Sequence, residues 1–76
     1  AMTPLPPELL YQLSKNLFVA NDGVGAIEVL LEAAEKNHAQ AQLELGCIYL
    51  QGDNYVARDY RRALCYFQRA AKQGLV

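Results

Sequence analysis

Hydrophobic residues recur every three or four positions along most of the chain, which is the spacing of one face of an α-helix. The clearest example follows Asp59, where polar and basic residues separate the apolar positions Tyr60, Ala63, Leu64, Phe67, Ala70 and Ala71. Strict apolar–polar alternation, the pattern of a half-buried β-strand, fits no segment. The sequence therefore predicts an all-α protein.

This helical pattern occurs twice, with the second copy 37 positions after the first. Seven residues of the first copy, namely Asp22, Ala26, Ile27, Leu30, Ala33, Ala34 and Asn37, are matched by Asp59, Ala63, Leu64, Phe67, Ala70, Ala71 and Gly74. Aspartate at the start accepts hydrogen bonds from the free amides of a helix. Asparagine or glycine at the end tolerates the left-handed conformation that stops one. The pattern predicts two equivalent helices.

A further helix is predicted before each of these two. One runs from about Pro7 to about Ala20, and the other from about His38 to Gln51, where Gly52, Asp53 and Asn54 break it. Apolar spacing predicts that the first helix turns Leu9, Leu10, Leu13 and Leu17 inward, and that the second does so with Ala41, Leu45, Ile48 and Tyr49. About four helices with short connections favour antiparallel helical hairpins.

The second copy contains a set of residues in the order of a known motif: Ala39, Ala41, Leu45, Gly46, Tyr49, Gly52, Val56, Asp59, Ala63, Tyr66, Ala70, Ala71 and Gly74. This set resembles the SEL-one-like repeat of the tetratricopeptide-like superfamily. In the first copy Ser14 and Leu17 stand where the second has Gly46 and Tyr49. The resemblance implies a short solenoid of stacked hairpins forming one domain over residues 1–76, with a degenerate repeat at 7–37 and a full repeat at 38–74.

The resemblance also implies recognition of another protein. Helices equivalent to the first of each hairpin line the concave groove in tetratricopeptide-like stacks, which assigns Glu8, Tyr11, Lys15, Phe18, Gln40, Leu43, Cys47 and Leu50 to a groove for a peptide or partner helix. Apolar residues on such an open surface mark a binding site. The alternative is that these residues thicken a small core or meet a neighbouring copy.

A self-assembly unit, or a fragment of a longer repeat protein, is the competing interpretation of function. Repeat stacks whose ends lack a polar cap meet another repeat or associate. We expect the second hairpin to expose Leu64 and Leu75 as an oligomer contact. Charge is distributed unevenly along the chain: residues 1–55 carry seven acids and two bases, whereas residues 56–76 carry one acid and five bases.

Composition excludes several classes of protein. The chain has 76 residues, 53% of them hydrophobic, and a net charge of −1, so it is expected to fold as a small domain without general attraction to nucleic acid. The longest apolar runs are only a few residues, too short to span a membrane. Ala1–Pro7 has neither the basic nor the apolar region of a secretory signal, so a cytoplasmic protein with free Cys47 and Cys65 is expected.

No arrangement of side chains indicates catalysis, a metal or a cofactor. His38 is the single histidine and is interpreted as a solvated turn residue, and Cys47 has no adjacent base. Glu28, Glu32 and Glu35 are interpreted as a solvated acidic face. Five basic residues in the second copy have no aromatic platform interleaved with them, which argues against nucleic-acid binding: Arg58, Arg61, Arg62, Arg69 and Lys72.

Overall fold

The computed structural model describes residues 4–75, which form four α-helices and no β-strand. Residues 1–3, part of the stretch expected to lack a signal sequence, and Val76 lie outside the described residues. The helices are α1 (Pro7–Val19), α2 (Gly23–Glu35), α3 (Ala39–Gln51) and α4 (Tyr60–Lys72), each 13 residues long. The all-α fold predicted from the sequence is confirmed.

The two aspartates of the repeated pattern begin α2 and α4. Asp22 accepts a hydrogen bond from the Gly25 amide at 3.0 Å, and Asp59 accepts one from the Arg62 amide at 3.2 Å. Beyond the ends of these helices, Asn37 and Gly74 have φ angles of 69° and 88°, in the left-handed region that stops a helix. Both ends of the repeated pattern therefore have the structure that the sequence predicts.

The helices pack as two hairpins, α1 with α2 and α3 with α4, and α2 joins the hairpins by packing against α3. One apolar cluster runs through all four helices and holds the hairpins together. Its buried members are Leu10, Tyr11, Leu30, Ala33, Ala34, Ala41, Leu45, Tyr49 and Ala63. Small residues at many of these positions allow the helix axes to approach closely. The stack is 36 × 28 × 19 Å.

Gly46 of α3 and Phe67 of α4 approach each other closely in the second hairpin. A β-carbon built on Gly46 would come within 2.6 Å of two ring carbons of Phe67, so only glycine fits there without a shift. Tyr49 and Tyr66 stack beside it, with ring centroids 6.0 Å apart and planes 5° from parallel. Gly46 thus lies where α3 and α4 cross.

The inward face predicted for α1 is partly wrong. Leu10 is buried, but Leu9 and Leu13 are 52% and 37% exposed, and Tyr11 and Ser14 are buried instead. The repeat explains the difference, because Leu9 and Leu13 correspond to Ala41 and Leu45 of α3, which are buried in the cluster that α3 forms with α2. No helix precedes α1 in residues 4–75, so the same positions of α1 face solvent.

The connection between α3 and α4 is held by Asp53. Its side chain accepts hydrogen bonds from the amides of Tyr55 and Val56, at 2.7 and 2.9 Å, and Gly52 supplies a left-handed residue with φ of 73°. The Tyr55 ring contacts Gly23 at the start of α2, so the connection folds back onto the first repeat. Asp59 then begins α4 with its amide bonded to the carbonyl of Tyr49 at 2.8 Å.

Candidate functional site

The residues assigned to the groove lie on α1 and α3, and Glu44 of α3 links these helices. The Tyr11 hydroxyl donates to Glu44 Oε1 at 2.6 Å, and Lys15 Nζ donates to the same oxygen at 3.1 Å. Lys15 Nζ also lies 4.6 Å from the centre of the Tyr11 ring. Burial, followed by the hydrogen bond to Glu44, raises the pKa of Tyr11, so the hydroxyl stays protonated as a donor. We call the surface shared by these helices the α1/α3 face.

A second link joins α1 to the start of α3 through His38. Its Nδ1 accepts a hydrogen bond from the Ala41 amide at 3.1 Å, so the neutral ring carries its hydrogen on Nε2 and donates it to Glu8 Oε2, 2.6 Å away. This hydrogen bond lowers the pKa of Glu8. The ring also lies 4.7 Å from that of Tyr11. His38 is therefore a half-buried helix cap, and the expectation of a solvated turn residue is wrong.

Exposure varies along the α1/α3 face. At the C-terminal ends of both helices, Phe18 and Leu50 hold equivalent positions and are 36% and 44% exposed. Leu43 is half-buried, and the remaining groove residues Glu8, Lys15, Gln40 and Cys47 are exposed. The assignment of Tyr11 to the open groove surface is wrong. Tyr11 is 7% exposed and belongs to the core cluster, because its ring packs among the helices while its hydroxyl bonds to Glu44. The open apolar part of this face is at one end.

At the other end of the face lies an open cleft of about 480 Å³. Its lining combines polar and apolar groups from three segments: Glu8, Tyr11, His38, Ala39, Gln40, Gln73, Gly74 and Leu75. Leu75 was expected beside Leu64 as an oligomer contact. The left-handed Gly74 turns the chain after α4, so the half-buried Leu75 lines this cleft, and only Leu64 is exposed on the helix itself.

Three basic residues in or just before α4 do have aromatic partners, contrary to the sequence interpretation. The guanidinium carbons of Arg58, Arg62 and Arg69 lie over tyrosine rings, each 5.6 to 5.8 Å from the ring centre. Arg69 also pairs with Glu35 at 3.1 Å and donates to the Ala34 carbonyl at 3.0 Å. Each of these arginines covers a tyrosine of its own chain. The arginine–tyrosine pairs stabilise the second hairpin, and Arg69 also ties α4 to the first repeat.

The remaining groups singled out in the sequence do not converge on a reactive centre. Glu28, Glu32 and Glu35 are exposed, and two of them pair with cations, Glu32 with Lys36 and Glu35 with Arg69. Both Cys47 and Cys65 are exposed free thiols. Within residues 4–75, no group of three or more potential ligands is placed to hold a metal ion. In the same part of the chain, every helix is too short or too polar to cross a membrane.

The family comparison agrees with the helix geometry of the second hairpin. The model of the Sel1 repeat matches residues 39–75, which contain α3, the Asp53 turn and α4. Residues 39–75 are thus similar to a Sel1 repeat. The resemblance noted in the sequence is confirmed. Sel1 repeats generally mediate contacts between proteins and are typically not enzymes. Searches of curated proteins and of solved structures found no match to the chain.

Sequence reasoning missed the two residues that join the helices of the α1/α3 face. Glu44 was not assigned any role, and His38 was placed in solvent, yet together they bind Tyr11, Lys15 and Glu8. These partners lie about 30 positions apart, so no local spacing indicates them. A local signal did exist at His38, which stands directly before a helix where a side-chain acceptor is favoured.

Proposed function

We propose that this chain is a protein-interaction module that holds a peptide or a partner helix on the α1/α3 face. The observation that carries the proposal is the pair Phe18 and Leu50, two large apolar side chains at equivalent positions of two helices and both partly open to solvent. Apolar anchors of this kind supply most of the binding energy of protein interfaces. The match of residues 39–75 to the Sel1 repeat model supports an interaction role.

The links between α1 and α3 support the same proposal, because they set the spacing of the anchors before a partner arrives. Glu44 accepts hydrogen bonds from Tyr11 and Lys15, and Glu8 is hydrogen-bonded to His38, so side-chain hydrogen bonds connect the two helices at two positions along their length. A rigid surface loses little conformational entropy on binding. The cleft near His38, whose lining includes polar side chains, offers hydrogen-bonding groups to the remainder of a bound segment. An amphipathic helix or peptide, apolar at one end, matches this arrangement. The proposal assigns the chain no catalytic role.

Affinity capture with surface variants tests the proposal. The immobilised chain is compared with Phe18→Ala and Leu50→Ala, which truncate the anchors, and with the control Arg61→Ala, which truncates an exposed residue of α4. We expect a partner retained by the parent chain and by the control but lost with either anchor variant. Calorimetry with that partner is expected to show binding weakened at least about tenfold by each anchor variant. A larger loss with Arg61→Ala than with Leu50→Ala would place the site on the basic face of α4.

A further inference from the structure

The two repeats bury the same positions on one side of their second helices and differ on the other side. Ala26 and Ala33 of α2 are buried, and so are their counterparts Ala63 and Ala70 of α4. Other equivalent positions differ. Ile27 is 5% exposed but its counterpart Leu64 is 58% exposed. Within residues 4–75, α3 covers α2 and no helix follows α4.

We call the uncovered side of α4 the α4 face. Its members are the counterparts of Ile27, Leu30 and Ala34, namely Leu64, Phe67 and Ala71. All three first-repeat residues are buried, whereas Leu64 and Ala71 are exposed and Phe67 is half-buried. Leu30 and Ala34 belong to the cluster that α2 shares with α3. This packing indicates which kind of element fits the α4 face: a helix that presents the residues with which α3 meets α2.

Helix α1 presents that kind of surface. Its exposed residues Leu9 and Leu13 stand at the positions of Ala41 and Leu45, the α3 residues buried in the cluster with α2. We call these two residues the α1 face. Both faces are apolar and open, and each corresponds to one half of a contact that the chain makes internally. A second copy of the chain therefore offers the α4 face a helix of the required chemistry.

Charge favours the same arrangement. Inside the chain Glu35 of the first repeat pairs with Arg69 of the second. The position equivalent to Glu35 in the second repeat is Lys72, and the position equivalent to Arg69 in the first repeat is Glu32. Repeating the internal step onto another copy therefore brings Lys72 toward Glu32 of the second copy, with opposite charges. The acidic balance of residues 1–55 and the basic balance of residues 56–76 orient the copies in the same sense.

We propose that the α4 face of one molecule binds the α1 face of a second copy, so that molecules associate head to tail by continuing the internal repeat. Such a contact joins two different surfaces, so a bound pair still offers a free α1 face at one end and a free α4 face at the other. Association therefore extends beyond a dimer as concentration rises. The α1/α3 face lies outside this contact and stays open for a partner.

Sedimentation of the 76-residue chain over a wide concentration range tests the proposal, with two blocking variants and one control. Leu64→Glu places a charge on the α4 face, and Leu13→Glu places one on the α1 face. The matched control is Cys65→Glu on the same helix as Leu64, at the exposed position where the first repeat already carries Glu28. Circular dichroism establishes that each variant keeps its helical content. We expect the parent chain and the control to gain mass with concentration, and each blocking variant to weaken association at least about tenfold.

Mixing the two blocking variants gives the decisive measurement. Leu13→Glu retains an intact α4 face and Leu64→Glu retains an intact α1 face, so the mixture is expected to form a one-to-one dimer that neither variant forms alone. A parent chain that stays monomeric throughout overturns the proposal. Loss of association with Leu64→Glu but not with Leu13→Glu also overturns it, because that result indicates contact between two α4 faces. A mixture that remains monomeric contradicts the pairing of α1 with α4.

Discussion

The ring of Phe67 on α4 packs against the backbone of Gly46 on α3, where a β-carbon would come within 2.6 Å of two ring carbons. Glycine ordinarily weakens a helix interior, so its use here reflects the close approach of two helices. Ser14 fills the equivalent position of α1 and is also buried, with its hydroxyl donating to the Tyr11 carbonyl at 2.6 Å. Small residues at this position let both hairpins close.

Gly46→Leu is expected to lower the free energy of unfolding by about 1 to 3 kcal/mol, because the new side chain meets the Phe67 ring. In a domain of this size that is a large share of the total stability. Thermal or urea denaturation followed by circular dichroism measures the effect. The matched control is Cys47→Leu, the same new side chain at the next, exposed position, with an expected change within about 0.5 kcal/mol.

The double variant Gly46→Leu/Phe67→Ala identifies the cause of the loss. Removal of the Phe67 ring leaves space for the leucine, so the double variant is expected to lose less stability than the sum of the two single variants. Glu32→Ala, which alters an exposed residue that pairs with Lys36 on its own helix, serves as a second control with little expected effect on the stability of the single chain. Equal melting temperatures for Gly46→Leu and Glu32→Ala would contradict the close crossing.

The helix caps give a second prediction. Asp22→Ala and Asp59→Ala are each expected to destabilise the chain by about 1 kcal/mol, because the Gly25 and Arg62 amides lose their acceptors. Asn at either position keeps a side-chain oxygen in place of the carboxylate, so Asp22→Asn and Asp59→Asn are expected to stay closer to the parent chain. Urea denaturation of the four variants provides the comparison. An asparagine variant as unstable as its alanine counterpart would exclude capping as the source of the effect.

These caps belong to the part of the fold that the sequence specifies locally. An aspartate before each apolar run, and an asparagine or glycine after it, predict where α2 and α4 begin and end. The inward face of α1 was not predictable in this way. Leu9 and Leu13 have the spacing of buried residues, but burial also requires a helix on that side, and helical spacing carries no information about a missing neighbour.

The α1/α3 face shows the same division between local and distant information. The equivalence of Phe18 and Leu50 follows from the repeat register, and both side chains are exposed. Burial of Tyr11 depends on two distant residues: the His38 ring packs near the Tyr11 ring, and Glu44 accepts a hydrogen bond from the Tyr11 hydroxyl. A tyrosine has a polar hydroxyl, so the sequence alone suggests a surface position unless the hydrogen-bond partner of that hydroxyl is known. The sequence therefore predicted the helices of this face better than the contacts between them.

The pairing of His38 with Glu8 predicts a pH dependence. His38 lowers the pKa of Glu8 below its ordinary value of 4.5, with Gln12 adding to the effect. Because the folded-state pKa is the lower one, the stability that Glu8 contributes is complete above the unfolded pKa. That stability is lost as the pH falls through the folded pKa. The expected window thus lies below pH 4.5.

Carbon NMR titration of the Glu8 carboxyl measures this pKa directly. The informative variant is His38→Asn, because asparagine retains a cap acceptor for the Ala41 amide but is too short to take the place of the imidazole at Glu8. In that variant the Glu8 pKa is expected to rise toward its ordinary value while the helical content is kept. A Glu8 pKa unchanged by His38→Asn would show that the pairing is absent in solution.

The two cysteines provide the final prediction, because one lies on the α1/α3 face and the other lies outside it. Cys47 is exposed on α3 among the groove residues, and Cys65 is exposed on α4. Both are free, so the unfolded, unreduced protein is expected to titrate with two thiols per chain. The single variants Cys65→Ser and Cys47→Ser then report each thiol separately. Neither cysteine belongs to the α1 face or the α4 face.

A saturating partner on the α1/α3 face is expected to slow alkylation of Cys47 at least about tenfold, since reaction requires access to the thiolate. Cys65 is expected to react at an unchanged rate, which makes it the internal control. Alkylation is followed by mass spectrometry with and without the captured partner. Protection of Cys65 alone would place the partner on α4, and equal rates at Cys47 with and without the partner would contradict binding on the α1/α3 face. Head-to-tail association covers neither thiol, so dilution of the chain alone is expected to leave both rates unchanged.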